Sequence, residues 1–456
     1  MAAGDDLFAE TVSGARAGVV SSEGAWRLRI VAPREVATTV ALTEPTVVGR
    51  APAAAGLASV AHRTVSRAHL QLERVAGVLT ARDLGSHNGS WVDGVRLEAR
   101  AVPLHDGAVV RLGDVLAVVE YEPRVEPGDD AVVARDAVPG DAPAVVALRR
   151  RLAAVAVDPA PVLVIGETGT GKELVAHELH RLSQRRGPLV AFNCAELAPT
   201  VVESQLFGHD KGAFTGASGS HRGLFREADG GTLFLDEIGE LLPELQPKLL
   251  RVIQTGQVHA VGAAKPVAVD VRIVAATNRE LQAEVERGGF RRDLHARLAL
   301  HELRVPPLRE RRGDLLAWID LLAQLWSERR ERAVVPFDLR ADAAELLLRA
   351  PWLGNLRELD RLVHALAPGY DGGAVGPAQL PAWLREGDDA GSTVAETEDE
   401  AQLPPLPTQR GIPSREALLA ALEQHQWVVI AVARHFGRDR RQVYRWMDGY
   451  GIRREP

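Results

Sequence analysis

Gly166–Glu173 reads G-E-T-G-T-G-K-E and stands between the apolar run Pro161–Ile165 and a helical pattern. A glycine-rich bend in that position lets backbone N–H groups turn inward around phosphate oxygens. The lysine adds a point charge, and the start of the helix adds its dipole. Strand, loop and helix in this order require an α/β domain with a parallel sheet. Later runs fit that sheet. Gly231–Leu235 ends in Asp236 and Glu237, and Val269–Ala275 is followed by Thr277 and Asn278. A carboxylate at a strand end can hold magnesium, and a second beside it can polarise an attacking water. The nucleotide-binding set is therefore Gly166, Glu167, Thr168, Gly169, Thr170, Gly171, Lys172 and Glu173.

Glu203–Ala217 reads E-S-Q-L-F-G-H-D-K-G-A-F-T-G-A. Glycines at 212 and 216 weaken regular structure. Phe214 has no apolar partner at helical or strand spacing, so the stretch reads as a loop that presents Phe214 and Thr215 outward. This segment resembles the signature loop of bacterial enhancer-binding proteins, the AAA+ ATPases that activate the sigma-54 form of RNA polymerase. The resemblance implies ATP and Mg2+ as cofactors and sigma-54 contact through Gly212, Ala213, Phe214, Thr215, Gly216 and Ala217. It also assigns roles at the nucleotide site. Asp236 holds the metal, Glu237 polarises water, Asn193 restrains that glutamate, and Asn278 reads the γ-phosphate as sensor I. The usual Ser or Thr after the lysine is Glu173 here, as is common in that family.

Phosphoryl transfer also needs positive charge on the γ-phosphate. Phe290–Arg297 reads F-R-R-D-L-H-A-R, and Arg291 and Arg297 match the family's two fingers, six residues apart, which reach a neighbouring subunit. Arg292 is an additional arginine in that run. Trp352–Leu359 reads W-L-G-N-L-R-E-L and is similar to the lid motif in which Arg357 contacts nucleotide as sensor II. Leu353 stands where the family usually has proline, which should loosen the turn. Fingers acting in trans imply a homo-oligomeric ring, a hexamer in the family.

Ahead of this region, short runs are separated by Gly, Pro, Asp and Asn. They are Trp26–Val31, Val36–Leu42, His69–Arg74, Val78–Asp83 and Val115–Tyr121. That spacing predicts an all-β sandwich. The ordered series Gly49–Arg50, Ser66–Arg67–Ala68–His69, Ser86–Ser90 and Asp93–Gly94 resembles a forkhead-associated (FHA) domain, whose loops bind phosphothreonine peptides. A phosphate needs an arginine and hydroxyl donors. Arg50, Ser66 and Arg67 supply them, Asn88 would hold the peptide backbone, and His69 would support the loops.

The chain ends in helical patterns at Arg415–His425, Val428–Phe436 and Asp439–Gly449, with a turn at Gly437. Two short helices about a glycine turn form a helix-turn-helix. Arg440, Arg441, Gln442, Tyr444 and Arg445 on the last helix suit phosphate and base-edge contacts. The segment resembles the Fis-type domain of enhancer-binding proteins, which binds double-stranded DNA at an enhancer site.

The whole is a multidomain chain of 456 residues, with net charge -7. The expected order is a tail (1–24), an all-β FHA sandwich (25–122), a linker (123–137), an α/β AAA+ ATPase (138–312), a helical lid (313–385), an acidic proline-containing linker (386–412) and an all-α helix-turn-helix domain (413–456). The acidic balance excludes a protein that coats nucleic acid by bulk charge. A single cysteine, Cys194, and the lack of a secretory or membrane-spanning run predict a cytoplasmic protein. The expected function is a sigma-54-dependent regulator that opens promoters at the expense of ATP. A phosphothreonine-containing partner, or a phosphorylated segment of the chain itself, would control it through the FHA domain. The alternatives are a non-catalytic, DNA-bound phosphopeptide-docking regulator and an AAA+ machine with another substrate. The first predicts loss of Lys172, Glu237 or the fingers, and all are present. The second would need a different loop between Phe207 and Ser218.

Overall fold

The computed structural model describes residues 24–42, 45–51, 57–98, 100–123, 133–195, 199–213, 219–330, 336–385, 413 and 415–424, with isolated positions from 432 to 452. The N-terminal region is a sandwich of short strands. These are β1 (Gly24–Ala32), β2 (Thr38–Ala41), β3 (Thr46–Gly49), β4 (Leu57–Ser59), β5 (Leu70–Val75), β6 (Val78–Asp83), β7 (Ser90–Val92), β8 (Val95–Arg96), β9 (Val102–Pro103), β10 (Val109–Leu112) and β11 (Val115–Pro123). One sheet runs β2-β1-β11-β10-β7-β8 and the other β4-β3-β5-β6-β9. The expected strand Val36–Leu42 is shorter, because Arg34–Val36 form a 3-10 turn before β2.

Inward residues alternate along the strands, as a sandwich requires. Leu28 and Ile30 of β1, and Val115, Ala117 and Val119 of β11, share one core. The residues between them face the other way. Leu116 and Val118, with Val109 of β10, join a second core formed mainly by helices between residues 315 and 385. This outer face is therefore covered rather than solvated.

The central domain begins with α1 (Pro143–Ala156) and continues through β12 (Val162–Ile165), α2 (Lys172–Leu182), β13 (Leu189–Asn193), α3 (Pro199–Phe207), α4 (Leu224–Glu227), β14 (Thr232–Asp236) and α5 (Gln246–Thr255). A small ribbon, β15 (Gln257–Val258) with β16 (Val267–Ala268), precedes β17 (Arg272–Thr277), α6 (Leu281–Glu286), α7 (Arg292–Leu298) and β18 (His301–Arg304). The sheet order is β13-β14-β17-β12-β18, with every pair parallel. Two apolar clusters cover its two faces. The strand expected at Val269–Ala275 is shifted to Arg272–Thr277. Val269 instead bonds Gly256, and the buried Arg272 donates to the carbonyls of Val155 and Ala156 at the end of α1. Val133, expected in a linker, is buried in the cluster of α1 and β12.

The helical lid contains α8 (Leu315–Glu328), α9 (Ala341–Arg349), α10 (Asn355–Leu366) and α11 (Ala382–Arg385). Trp318 and Ile319 of α8, Leu347 and Leu348 of α9, and Leu359 and Leu362 of α10 form its core with Val109, Leu116 and Val118. Charged pairs rim this seam. Arg29 meets Asp314 at 2.7 Å, Arg111 meets Glu345 at 2.9 Å, and Arg34 Nε donates to Asp320 at 2.9 Å. Arg312 donates to the Gly107 carbonyl at 2.9 Å.

The last unit, residues 394–456, is described by itself. It holds α12 (Arg415–Gln424), and Leu418, Leu422, Val432, Val443, Trp446 and Ile452 form a core. The side chains expected to contact DNA, Arg440, Arg441, Gln442, Tyr444 and Arg445, lie outside the described residues. Among the described residues no helix is long and apolar enough to cross a membrane.

Candidate functional site

The phosphate loop sits where the strand order places it, between the end of β12 and the start of α2. Gly171 caps α2 with φ 101°, and Gly169 has φ 79°, so both occupy the left-handed region open to glycine. A Cβ at Gly169 would lie 2.3 Å from the Gly354 carbonyl oxygen. The first N–H groups of α2 have no acceptor within the helix and face the loop's mouth. Lys172 is buried, and its Nζ donates to the carbonyls of Gly166 at 3.0 Å and Glu167 at 3.3 Å. Burial lowers its pKa, Glu237 and Asp236 oppose that shift, and Arg357 adds to it. Four of the expected site residues therefore share one electrostatic neighbourhood.

The carboxylates come from β14. Asp236 is its last residue and pairs in register with Asn193 at the end of β13. Asp236 Oδ1 accepts the N–H of Glu237 at 3.0 Å. Glu237 has φ 50°, an uncommon backbone conformation for glutamate that turns the chain out of the strand. Asn193 Oδ1 accepts the Ala195 N–H at 2.9 Å. Asn278, just beyond β17, donates to Thr168 Oγ1 at 3.0 Å, so the expected sensor touches the phosphate loop. Glu173 points to solvent near His177, 3.9 Å away, rather than into the loop.

Donor chemistry fits both groups that the sequence implies. The loop offers N–H groups and a lysine to phosphates. For magnesium it offers the Asp236 and Glu237 carboxylates. Among the described residues no set of three or more His, Cys, Asp or Glu could hold a metal alone. That suits Mg2+, which is commonly held by one or two carboxylates, with water and substrate phosphates completing the shell. Cys194, beside these acids, is buried, and burial with the neighbouring Asp236 and Glu237 pushes its thiol up to about 12. It is no nucleophile at neutral pH.

The lid closes over the loop. Arg357 is exposed on α10, and its Cγ would lie 3.3 Å from a Cβ at Gly169. Leu353 is 75% exposed, and the turn expected to be loose is closed by the Asn355 N–H on the Trp352 carbonyl at 2.9 Å. Arg291 and Arg297 lie at the start and near the end of α7, both exposed. Arg291 is held in an exposed pair with Asp293, at 3.0 and 2.8 Å.

Sequence reasoning missed three side chains here: Arg309, Arg311 and Asn355. Arg309 binds the Glu167 carboxylate through two nitrogens, at 2.8 and 2.6 Å. Arg311 donates to the Thr170 carbonyl at 2.9 Å. Asn355 donates to Glu167 and to the Thr168 carbonyl, at 3.2 and 3.1 Å. The buried asparagine lay in the quoted W-L-G-N-L-R-E-L, so its position was visible and its target was not.

The second site is the loop end of the sandwich. Arg50, Arg67 and Asn88 are exposed, and Ser66 is half-buried. The Arg50 N–H donates to the Ser66 carbonyl at 2.8 Å, and the His87 N–H donates to Ser66 Oγ at 3.1 Å. Asn88 Nδ2 donates to the Thr64 carbonyl at 2.7 Å. His69 is fully buried. Its Nδ1 accepts the Ser66 N–H at 2.9 Å and its Nε2 donates to the Gly89 carbonyl at 3.0 Å, joining both loops. Burial lowers its pKa from 6.5 against the smaller effects of Gly89 and Asp83.

Of the expected sigma-54 loop, Gly212 and Ala213 are described, and Phe214, Thr215, Gly216 and Ala217 lie outside the described residues. Gly212 has φ 83° and open space where a side chain would stand.

Comparison with known proteins agrees with this geometry. The family described as the Sigma-54 interaction domain matches residues 138–304, the FHA domain matches 46–113 and the AAA+ ATPase lid domain matches 309–397. The Nif-specific regulatory protein of Azotobacter vinelandii is 44% identical over 287 residues, covering 62% of this chain and 52% of that protein. The chain thus spans about half the length of that relative. The transcriptional regulatory protein ZraR of Klebsiella oxytoca is 43% identical over 307 residues, 67% of each chain. The crystal structure of NtrX from Brucella abortus in complex with ATP is 30% identical, with a TM-score of 0.50 and 69% of each chain covered. A nucleotide loop clasped by its lid, a sandwich with an FHA-like loop end and these matches together place the chain in the sigma-54 activator family of AAA+ proteins, with an FHA domain ahead of the ATPase.

Proposed function

We propose that the protein is an ATP-hydrolysing transcriptional regulator that remodels sigma-54 RNA polymerase at promoters. The juxtaposition of Lys172 with Asp236, Glu237 and Arg357 around one phosphate loop carries this reading. Lys172 and the N–H groups at the start of α2 hold the phosphates. Asp236 would hold Mg2+, which supplies charge on the phosphate oxygens. Glu237 accepts the proton of the attacking water, and Asn193, on the neighbouring strand end, restrains it. Asn278, already on Thr168, reports the γ-phosphate to the loop. Arg291 and Arg297 are exposed, which supports a role in the site of a neighbouring subunit and hence a ring. Arg291 must first leave Asp293.

The Gly212–Ala217 loop delivers the output to sigma-54. The C-terminal unit tethers the ring to enhancer DNA through Arg440, Arg441, Gln442, Tyr444 and Arg445. The FHA domain takes a phosphothreonine through Arg50, Ser66 and Arg67, with Asn88 on the peptide backbone. The seam between its sheet and the lid supports control of the ATPase by that binding.

The test is ATP-dependent open-complex formation on a sigma-54 promoter, with Thr215→Ala as the variant that hydrolyses ATP without opening. A phosphothreonine peptide pool is added, with Ser66→Ala as its control. No opening by the wild-type protein under any of these conditions removes the reading. Opening that ignores phosphopeptide removes only the control by phosphorylation.

A further inference from the structure

The four residues at the bend of the phosphate loop are each held from the lid side. Arg309 and Asn355 hold the Glu167 carboxylate. Asn355 Nδ2 holds the Thr168 carbonyl at 3.1 Å, the Leu356 N–H holds that of Gly169 at 2.9 Å, and Arg311 holds that of Thr170 at 2.9 Å. Asn355 is fixed in its turn. It is 0% exposed with φ 52°, and its Oδ1 accepts the Leu308 N–H at 2.8 Å.

The peptide unit explains what such anchoring does. In a planar trans peptide the carbonyl of one residue and the N–H of the next point in opposite directions. Drawing the carbonyl of Thr168 towards the lid aims the N–H of Gly169 away from it, into the cradle. Drawing the carbonyl of Thr170 aims that of Gly171 the same way. The Thr170 N–H is already used, on the Glu167 carbonyl at 3.3 Å. The two orienting contacts on open N–H groups thus come from Asn355 and Arg311.

Arg311 is an unusual donor. It is buried over the Trp318 ring, 5.7 Å from the centroid, and burial lowers its pKa to about 10 against the charge of Asp314. A buried cation of this kind is costly unless it is paired. Asp314 is 1% exposed and ends the same short turn. Its Oδ1 also accepts Arg29 of the FHA sheet at 2.7 Å and the Asp141 N–H at 2.7 Å. One turn, residues 308–314, therefore touches the phosphate loop at one end and the FHA domain at the other.

We propose that Arg311 and Asn355 are positioning residues for ATP binding, orienting the Gly169 and Gly171 N–H groups, and that Arg29 of the FHA domain steadies the turn carrying Arg311. The inference rests on the ATPase reading above. It gives the FHA domain a direct mechanical route to the nucleotide.

Steady-state ATPase and equilibrium binding of a fluorescent ATP analogue on the full chain test it. Arg311→Met and Asn355→Gly should each raise KM and the analogue Kd about tenfold while kcat falls less than about threefold, the signature of lost uniform binding. Glycine is chosen at 355 because it accepts the positive φ. Arg311→Lys should recover most of the affinity, which a purely structural loss would not. Arg309→Gln, at a half-exposed side chain, should raise KM about threefold with the fold intact. Arg29→Met, remote from nucleotide, should raise KM about twofold to fourfold. Unchanged KM in folded Arg311→Met and Asn355→Gly overturns the proposal. If either fails to fold, unchanged KM in Arg309→Gln and in whichever of the two does fold overturns it. Unchanged KM in Arg29→Met overturns the FHA part alone. A wild-type protein that neither binds nor hydrolyses ATP refutes the ATPase reading instead, a distinct result.

Discussion

Arg111→Ala probes the seam between the FHA sheet and the lid most directly. Arg111 faces outward from β10 and meets Glu345 of α9 at 2.9 Å, with side-chain exposures of 18% and 8%. Its guanidinium also lies 3.7 Å from the centroid of the Trp91 ring. Removing one partner of a buried ion pair costs about 3–5 kcal/mol, because the remaining charge stays desolvated. The stacked cation adds about 0.5–2 kcal/mol. Residual solvent access at Arg111 and rotation of Glu345 offset part of this, so about 3 kcal/mol is expected for the single variant. Glu345→Gln keeps the shape and removes the charge. Combined with Arg111→Met it should restore most of the loss, since a neutral apolar pair needs no compensation.

The assay is urea unfolding of the full chain, followed by fluorescence of the lid tryptophans. Midpoints for wild type, Arg111→Ala, Glu345→Ala and the double variant close a thermodynamic cycle. The coupling energy should be about 2 kcal/mol, well above the scatter of independent sites. A coupling below about 0.5 kcal/mol, with unchanged slopes, would mean that the two side chains do not meet. The charged contact across the seam would then be withdrawn.

Three further outcomes are expected. Glu237→Gln should keep ATP affinity while kcat falls about 10²–10⁴-fold, as for loss of a general base; equal losses in binding and turnover would remove that role. His69, with its folded pKa below 6.5, should make the FHA domain lose stability as pH falls below 6.5. The sign follows because the unfolded chain takes up the proton first, with a slope of at most about 1.4 kcal/mol per pH unit. His69→Asn should therefore show a shallower loss between about pH 6.5 and 5 by urea midpoints, and identical slopes would contradict the assignment. Cys194, 5% exposed and with its thiol pushed up to about 12, should resist iodoacetamide at neutral pH until urea unfolds the domain. Rapid alkylation of the native protein would refute its burial.

Much of the local structure was legible because periodicity is local. Val78–Asp83 is the expected strand, and the helices Leu315–Glu328 and Ala341–Arg349 fall in the region expected to be helical, 313–385. The phosphate loop was legible for the same reason, since its glycines and lysine are neighbours in the chain. The strand at Val269–Ala275 was misplaced because apolar content there could not reveal that Arg272 caps α1 from inside the core. Val115–Val119 carried a signal that was read only as strand. It is apolar on both faces, and an antiparallel sheet needs a cover for the second.

By itself, the chain's sequence determined the kinds of unit and the residue chemistry they carry: glycines that permit a tight bend before a helix, acids at a strand end, and arginine and hydroxyl side chains in the sandwich loops. Tertiary structure alone decided that the lid covers the outer face of the FHA sheet, and that Arg309, Arg311 and Asn355 converge on one loop. Glu167 and Asn355 lie 188 residues apart along the chain. Arg29 and Asp314 lie 285 apart. No periodicity reaches that far, and only the packing of sheet, turn and lid brings such charges within a hydrogen bond.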